Sequence, residues 1–261
     1  MTDSLQNYTP LKTPEMRLDG LVALVTGAGR GLGRACACGV AGAGAETVLV
    51  SRTESDLDSV ATEIEAVGGI ARKVVCDVTN LDEIKAKIGG LKRIDVLINN
   101  AGTNAPEPFV DASEANFDKV MDLNVKSAFF VAQVVSRKMI EQGDGGSIIH
   151  MSSQMGHVGS PTRTVYCTSK HAIEGLNKAM AVELAPHNIR VNAIAPTYII
   201  TAMTAPNFEN PEFRADAVSR IPLGRVGQLD DIMGSIVFLA SPASALITGA
   251  SLLVDGGWTA Q

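Results

Sequence analysis

Short apolar runs recur along the whole chain, and patterns typical of helices lie between them. The apolar runs are Leu21–Thr26, Thr47–Val50, Ala71–Cys76, Asp95–Asn99, Ser147–Met151, Arg190–Ala195 and Ser251–Val254. They lack strict alternation of apolar and polar residues, as expected for buried parallel strands that are covered by helices on both faces. The helical patterns are Gly33–Ala43, Glu54–Val67, Asp82–Ile88, Ser113–Glu141, Val165–Ala185 and Leu229–Ala240. This order predicts an α/β protein with a doubly wound parallel sheet of about seven strands.

Length and composition favour one large domain. The chain has 261 residues, of which 46% are hydrophobic and 19% are charged, which suits a globular α/β domain with a single core. We therefore expect a single Rossmann-type domain over residues 18–261. The preceding residues 1–17 are polar and contain Pro10 and Pro14, so they are expected to form a flexible N-terminal extension.

The distribution of charge, cysteine and histidine argues against several classes of partner. The net charge is −6 and no run of Lys or Arg is present, so a nucleic-acid partner is not expected. The chain has neither a run of about 18 apolar residues nor the apolar core of a signal peptide, which predicts a cytoplasmic protein without a membrane partner. The four cysteines and four histidines lack metal-ligand spacing, so no metal is expected.

A glycine-rich turn follows the first predicted strand and precedes the first predicted helix. Residues 26–33 read TGAGRGLG. Glycines at such a turn allow the backbone to approach a ligand closely, and the helix N-terminus presents N–H groups to a pyrophosphate. A glycine-rich turn alone is weak evidence, but its position between strand and helix near the start of the sheet predicts nucleotide binding.

Ser153, Tyr166 and Lys170 form the strongest chemical pattern in the chain. If Tyr166 and Lys170 lie on one helix, their spacing of four residues places both side chains on the same face. Free tyrosine has a pKa of about 10, and a nearby ammonium is expected to lower it toward neutrality. The same spacing is also common where a half-buried ring packs under a surface lysine.

Several ordered motifs resemble those of the short-chain dehydrogenase/reductase family. They are Thr26-Gly27-x-x-x-Gly31-x-Gly33, Asn99-Asn100-Ala101-Gly102, Asn124, Ser153, Tyr166-x-x-x-Lys170 and the segment at Pro196. The match covers essentially residues 18–261, and the C-terminal Thr248–Gly257 resembles the closing strand of the family. The resemblance implies a Rossmann-type oxidoreductase that acts on CH–OH groups with a nicotinamide cofactor.

The resemblance also implies roles for individual residues. Tyr166 would be the general acid/base, Lys170 would lower its pKa and hold the nicotinamide ribose, Ser153 would bind the reacting oxygen, and Asn124 would keep a water in the proton relay. Strand alternation lets either Ser152 or Ser153 face the cleft, and the family spacing selects Ser153. The residues expected around the cofactor are Gly27, Arg30, Gly31, Leu32, Ser51, Arg52, Asp77, Val78, Asn100, Tyr166, Lys170, Ile199 and Thr201.

The end of the second strand bears on the choice of cofactor. NAD-dependent enzymes tend to place an acidic residue there, which binds the ribose 2′-hydroxyl and repels a 2′-phosphate. Here Ser51 occupies that position, Arg52 follows it, and Arg30 lies in the glycine turn. Two cations near a 2′-phosphate predict NADP. If both arginines are only solvated surface charges, NAD is the alternative.

The substrate is less constrained than the chemistry. Ser153, Gln154, Tyr166 and Tyr198 are the expected substrate contacts. His157 and Arg163 are further candidates near the chemistry, but solvation at the surface is favoured over substrate contact for both. Ala202–Gln228 lies where the family has a mobile lid. A sugar, a polyol, a hydroxy acid and a 3-oxoacyl thioester all fit this pattern. We expect a homotetramer from the family resemblance, and a non-catalytic nucleotide-binding regulator of the same fold is the rival function.

Overall fold

A computed structural model describes residues 12–261, and the part of the predicted N-terminal extension in residues 1–11 lies outside the described residues. The strands are β1 (Val22–Thr26), β2 (Glu46–Ser51), β3 (Ile70–Val75), β4 (Val96–Asn99), β5 (Gly146–Met151), β6 (Ile189–Pro196) and β7 (Ser251–Val254). They form one parallel sheet in the order β3-β2-β1-β4-β5-β6-β7. The predicted doubly wound fold is confirmed, and the strand bounds agree with the sequence to within about two residues.

Helices cover both faces of the sheet. They are α1 (Gly31–Gly42), α2 (Glu54–Ala66), α3 (Leu81–Glu83), α4 (Glu114–Met121), α5 (Ser127–Gln142), α6 (Thr164–Leu184), α7 (Ala205–Phe208), α8 (Pro211–Ser219) and α9 (Asp230–Ala240). One core packs α1, α2 and α9 against one face of the sheet, and a second core packs α5 and α6 against the other.

The long helix predicted over Ser113–Glu141 contains a local irregularity. Ser113 caps its start by accepting a hydrogen bond from the Asn116 amide at 3.3 Å, and Gly143 ends it in the left-handed region at φ +76°. Between α4 and α5, Asp122–Lys126 forms a π-helical turn. Such turns insert one residue into a helix and are frequent at functional sites. Asn124 lies at the centre of this turn.

The two edge strands differ from the expectation that all strands are buried. In β3 the side chains of Ile70 and Val75 are exposed, and in β7 Leu252 and Leu253 are partly exposed. Each edge strand has a neighbour on one side only, and its faces are less completely covered by helices. The apolar runs therefore predicted these two strands correctly, but the prediction that both faces of each strand are buried was wrong for β3 and β7.

His150 lies fully buried in β5, between β4 and β6. Neither ring nitrogen has a hydrogen-bond partner among residues 12–261. Burial lowers the pKa of His150 to about 4, and the charge of Lys170 acts in the same direction. The folded protein therefore holds this ring neutral at pH values where the unfolded chain binds a proton.

Acidification should destabilise the protein through His150. The pKa of His150 is about 6.5 in the unfolded chain and about 4 in the folded protein. The free energy of unfolding should therefore be unaffected above pH 6.5 and should fall by on the order of 3 kcal/mol as the pH drops from 6.5 toward 4. His150→Leu should flatten this part of the profile, whereas His187→Gln, which replaces an exposed histidine, should not. Urea unfolding at about pH 7 and about pH 4.5 measures the effect. An unchanged pH profile in His150→Leu would contradict the assignment.

Two further findings concern the described residues. Among residues 12–261, no helix combines the length and the apolar character needed to cross a membrane. The same residues contain no group of three or more His, Cys, Asp or Glu side chains arranged to hold a metal ion.

Candidate active site

A cleft of about 470 Å³ lies at the carboxyl ends of the strands. It opens where β1 pairs with both β2 and β4, which is the point where the order of the strands reverses. Open α/β sheets bind their ligands at this position, because the loops leaving neighbouring strands there run in opposite directions. The glycine turn lies at one end of the cleft, and Tyr166 and Lys170 lie at the other.

The glycine turn is compact and leaves the start of α1 open to a ligand. Gly27 is in the left-handed region at φ +64°. A side chain at Gly33 would collide with the carbonyl oxygen of Gly27. No side chain caps α1, and its first turn carries no acidic residue. Free N–H groups and the positive end of the helix dipole therefore face the cleft, which is the arrangement that binds a pyrophosphate.

Hydrogen bonds between β1 and β4 hold this turn in place. The Thr26 hydroxyl accepts from the amides of Asn100 and Ala101, both at 3.0 Å. The Asn100 side chain donates to the Thr26 carbonyl at 2.9 Å and lines the cleft. Asn99 instead donates to the Ala128 carbonyl at 2.7 Å, away from the cleft. The structure thus separates the cleft-lining Asn100 from Asn99, which braces β4 against α5.

Two arginines lie at the far end of the cleft, beside the end of β2. Arg30 and Arg52 both line it and are exposed, and Ser51, the last residue of β2, also lines it. Arg52 is 4.0 Å from Asp77, so its pairing within the chain is weak. Asp56 also lines this end, although the sequence did not single it out. Positive charge is therefore present where a ribose phosphate would bind, with two carboxylates nearby. Gly31, Leu32 and Val78 complete this part of the wall.

Ser153, Tyr166 and Lys170 meet at the other end of the cleft. Ser153 follows β5; its hydroxyl accepts the Met155 amide at 3.1 Å and lies close enough to the Tyr166 hydroxyl to lower its pKa. The Lys170 ammonium lies 5.5 Å from the centre of the Tyr166 ring and donates to the Met151 carbonyl at 2.7 Å. The spacing of four residues on α6 places Tyr166 and Lys170 on one face, as the sequence predicts, and the end of β5 brings Ser153 into the same cleft.

The pKa of Tyr166 shifts in the direction opposite to the expectation. Burial of the hydroxyl raises the pKa to about 12, and the hydrogen bond with Ser153 and the charge of Arg163 oppose only part of this effect. Lys170 is not among the groups that lower it; its ammonium lies 5.5 Å from the ring centre and donates to the Met151 carbonyl. Burial lowers the pKa of Lys170 itself to about 8. In the protein alone, Tyr166 is therefore held as a neutral phenol, which is the form that can donate a proton.

Asn124 lies behind the cleft and makes no hydrogen bond with Tyr166 or Lys170 in the described structure. Its side-chain oxygen accepts the Thr103 amide at 2.7 Å, and its nitrogen donates to the Thr103 carbonyl at 2.9 Å and to Ser169 at 3.0 Å. The π-helical turn aims this amide at the loop after β4 and at α6. Asn124 thus connects one wall of the cleft to the helix that carries Tyr166.

Several buried oxygen atoms near Tyr166 have no donor within residues 12–261. They belong to Asn104, Gln154 and Thr197, and all three residues line the cleft. An acceptor left without a donor in a buried position costs about 1–3 kcal/mol. A ligand that supplies hydroxyl or amide donors would remove this penalty. Gln154 was expected from the sequence, whereas Asn104 and Thr197 were not.

Tyr198 forms the centre of an aromatic cluster that we define as Tyr198, Phe208, Phe213 and Trp258. The ring centres of the other three lie 5.6–5.8 Å from that of Tyr198 in edge-to-face contacts. The cluster joins the segment after β6 to α7, α8 and the C-terminus. Tyr198 also lines the cleft together with Ile199 and Thr201. The Thr201 hydroxyl lies 3.1 Å from that of Thr204.

Comparison with known proteins agrees with this geometry. A family model described as enoyl-(acyl carrier protein) reductase matches residues 27–259. D-erythrulose reductase from Gallus gallus is 39% identical over 94% of this chain and 98% of its own length. The crystal structure of a short-chain type dehydrogenase/reductase from Mycobacterium marinum is 40% identical, with a TM-score of 0.89, and covers 94% of this chain and 98% of that one.

The chain belongs to the short-chain dehydrogenase/reductase family. A second solved structure is that of a gluconate 5-dehydrogenase from Burkholderia cenocepacia J2315 in complex with NADP and tartrate. It is 36% identical, has a TM-score of 0.90, and covers 94% of this chain and 98% of that one. The expected family and enzyme class are therefore confirmed, and the protein is an oxidoreductase of CH–OH and carbonyl groups.

As a short-chain dehydrogenase/reductase, the protein departs from the sequence prediction at Arg163. Surface solvation was favoured for this residue, but it lines the cleft with Tyr166. His157 is exposed, as expected, and bonds to Ser251 at 3.0 Å and Glu174 at 3.2 Å. Arg163 lies directly before α6, where no periodic pattern indicates which way a side chain faces. The individual roles of the site residues stay predictions.

Proposed function

We propose that the protein is an NADP-dependent oxidoreductase that interconverts a small polyhydroxylated alcohol and the corresponding carbonyl compound. The observation that carries this proposal is the meeting of Ser153, Tyr166 and Lys170 at one end of a cleft whose other end carries the glycine turn and two arginines. A nucleotide sensor on the same fold would have no use for a buried proton donor beside a cationic side chain. An enzyme requires both.

The residues of the cleft fit NADP. The uncapped start of α1 would receive the pyrophosphate, and the close approach of Gly27 and Gly33 leaves room for it. Arg30 and Arg52 would bind the 2′-phosphate, and Ser51 would not repel it. Asp77 and Val78 would border the adenine, Asn100 and Lys170 the nicotinamide ribose, and Ile199 and Thr201 the nicotinamide. The relative from Burkholderia cenocepacia was solved with NADP.

The cofactor would supply the hydride and accept it in the reverse direction. Tyr166 would donate a proton to the substrate oxygen during reduction, and its high pKa keeps that proton in place until the oxygen becomes basic. The Ser153 hydroxyl would hold the same oxygen and stabilise its developing negative charge. Lys170 would place a positive charge under the Tyr166 ring, and Asn124 would position α6 against the loop after β4.

The unsatisfied acceptors favour a substrate with several hydroxyl groups. Gln154 is 2% exposed, and its side-chain oxygen would accept from a substrate hydroxyl, as would that of Asn104. Tyr198 would form part of the wall. The names of the relatives point the same way, since D-erythrulose and gluconate both carry several hydroxyls. We further propose that residues 202–228 act as a lid, with α7 and α8 held against the cleft by the aromatic cluster.

We also propose that the protein is a homotetramer. The outer faces of α4, α5 and α6 expose Phe117, Phe129 and Val182, and β7 exposes Leu252 and Leu253. Apolar patches of this kind mark contacts between subunits. Light scattering at micromolar concentration should give a mass four times that of one chain. A stable monomer under these conditions would refute this assembly.

The proposed activity is tested by mixing the purified protein with NADPH and a panel of hydroxylated ketones. We expect loss of NADPH absorbance with the polyhydroxylated members and little with 3-oxoacyl thioesters. Tight NADPH binding without turnover of any carbonyl compound would favour the regulatory alternative.

A further inference from the structure

The loop before α6 holds Arg163 at the substrate end of the cleft by an unusual backbone conformation. Thr162 is a β-branched residue, yet it lies in the left-handed region at φ +58°. Such residues rarely adopt this conformation, and where they do the surrounding structure enforces it. The Thr162 carbonyl accepts the Glu107 amide at 3.1 Å, which ties the loop to the segment after β4. Arg163 follows directly and lies three residues before Tyr166.

The guanidinium of Arg163 has no acidic partner in residues 12–261. One of its nitrogens donates to the Thr162 hydroxyl at 2.9 Å and to the Thr162 carbonyl at 3.3 Å, both neutral groups. The other two nitrogens have no protein acceptor within hydrogen-bonding distance in this part of the chain. Its charge favours the ionised form of both Tyr166 and Tyr198, and all three residues line the cleft.

The carboxylates of the cleft lie at its opposite end. Asp56 and Asp77 line the end with Arg30 and Arg52, whereas no Asp or Glu of the described chain lines the end with Tyr166. The other cation there is Lys170, which is buried and committed to the Met151 carbonyl. Within residues 12–261, no carboxylate that lines the substrate end pairs with the charge of Arg163. A planar guanidinium with two available nitrogens is suited to bind a carboxylate through paired hydrogen bonds.

We propose that Arg163 binds a carboxylate of the substrate, so that the substrate is a polyhydroxylated acid of the aldonate type. This inference rests on the proposed function and specifies its substrate class. The carboxylate would bind Arg163, the hydroxyls would donate to the unsatisfied oxygens of Asn104 and Gln154, and the reacting oxygen would lie at Tyr166 and Ser153. A neutral ketose or polyol would satisfy the acceptors but leave the guanidinium without an anion, and an acyl thioester would leave both unsatisfied.

The test compares D-gluconate with D-glucitol, which differ only in a carboxylate in place of a CH₂OH group. With NADP⁺, the protein should favour gluconate by about tenfold or more in kcat/KM. Arg163→Gln should remove most of this preference by raising the KM for gluconate, whereas any loss that follows from the effect of the Arg163 charge on Tyr166 should be common to both substrates. Arg163→Lys should retain part of the preference, because it keeps the charge but loses the paired donors.

A matched control removes the same charge elsewhere. Arg72→Gln changes an exposed arginine on the edge strand β3, outside the cleft. It should leave kcat/KM unchanged for both gluconate and glucitol. Equal kcat/KM values for the two substrates in the unmodified protein would overturn the inference. An equal loss of kcat/KM for both substrates in Arg163→Gln would also overturn it. Either result would leave the oxidoreductase function intact.

Calorimetry separates this inference from the proposed function. Gluconate should bind the complex of the protein with NADP⁺ and should bind at least about tenfold more weakly to the Arg163→Gln complex, whether or not turnover follows. If gluconate binds in this way but is not turned over, only the proposed reaction is contradicted. If gluconate does not bind, the role of Arg163 is contradicted.

Discussion

Replacing Tyr166 with Phe should lower turnover by at least about a hundredfold and leave cofactor affinity nearly unchanged. The change keeps the ring over Lys170 but removes the transferable proton and the hydrogen bond with Ser153. Steady-state kinetics with NADPH, together with a dissociation constant for NADP⁺, measures both quantities.

Tyr198→Phe provides the comparison for this experiment. It removes a second hydroxyl that borders the same cleft but retains the ring in the aromatic cluster. We expect a change of less than about tenfold, mainly in KM, because this hydroxyl takes no part in proton transfer. Near-normal turnover of Tyr166→Phe would exclude Tyr166 as the proton donor.

A double change at the end of β2 should reverse the cofactor preference. In the unmodified protein, Arg30 and Arg52 should make NADP bind at least about tenfold more tightly than NAD, since a charge-assisted hydrogen bond contributes about 1.5–3 kcal/mol. The contribution of Arg52 is smaller than this range, because its side chain is 70% exposed and solvent screens an exposed charge. Ser51→Asp combined with Arg52→Ala removes one attraction, adds repulsion and offers the 2′-hydroxyl a partner.

Dissociation constants for the two oxidised cofactors measure this reversal. Arg72→Ala is the matched control, because it removes one exposed arginine outside the cleft and should leave the ratio unchanged. Tighter binding of NAD than of NADP by the unmodified protein would show that the arginines are surface charges, and Asp56 would then be the residue that decides the preference.

The fold was largely predictable because its strands are short, apolar and separated by helices. All seven strands lie where the apolar runs occur. A strand that helices cover on both faces is apolar along its whole length, so it can be recognised from its own sequence alone. The burial of β3 and β7 was overestimated because a run of apolar residues carries no information about whether a strand lies at an edge. The π-helical turn around Asn124 was also missed, since it barely alters the helical spacing.

The site was predictable where a motif fixes the spacing and unpredictable where the fold brings loops together. Tyr166 and Lys170 share one helix, so their meeting followed from the sequence. The upward shift of the Tyr166 pKa comes mainly from burial of its hydroxyl, and burial cannot be inferred from spacing. Arg163, Asn104 and Asp56 come from three separate loops or helix starts, and only the folded chain shows that they line one cleft.

The most direct test of the proposed reaction is the transfer of deuterium from NADPH labelled at its transferable hydrogen to a polyhydroxylated ketone. Mass spectrometry of the product should find one deuterium on the new carbinol carbon for each NADPH oxidised, and Tyr166→Phe should slow this transfer by at least about a hundredfold. If the protein binds labelled NADPH and no polyhydroxylated ketone, neutral or acidic, takes up deuterium, then the proposed function is wrong.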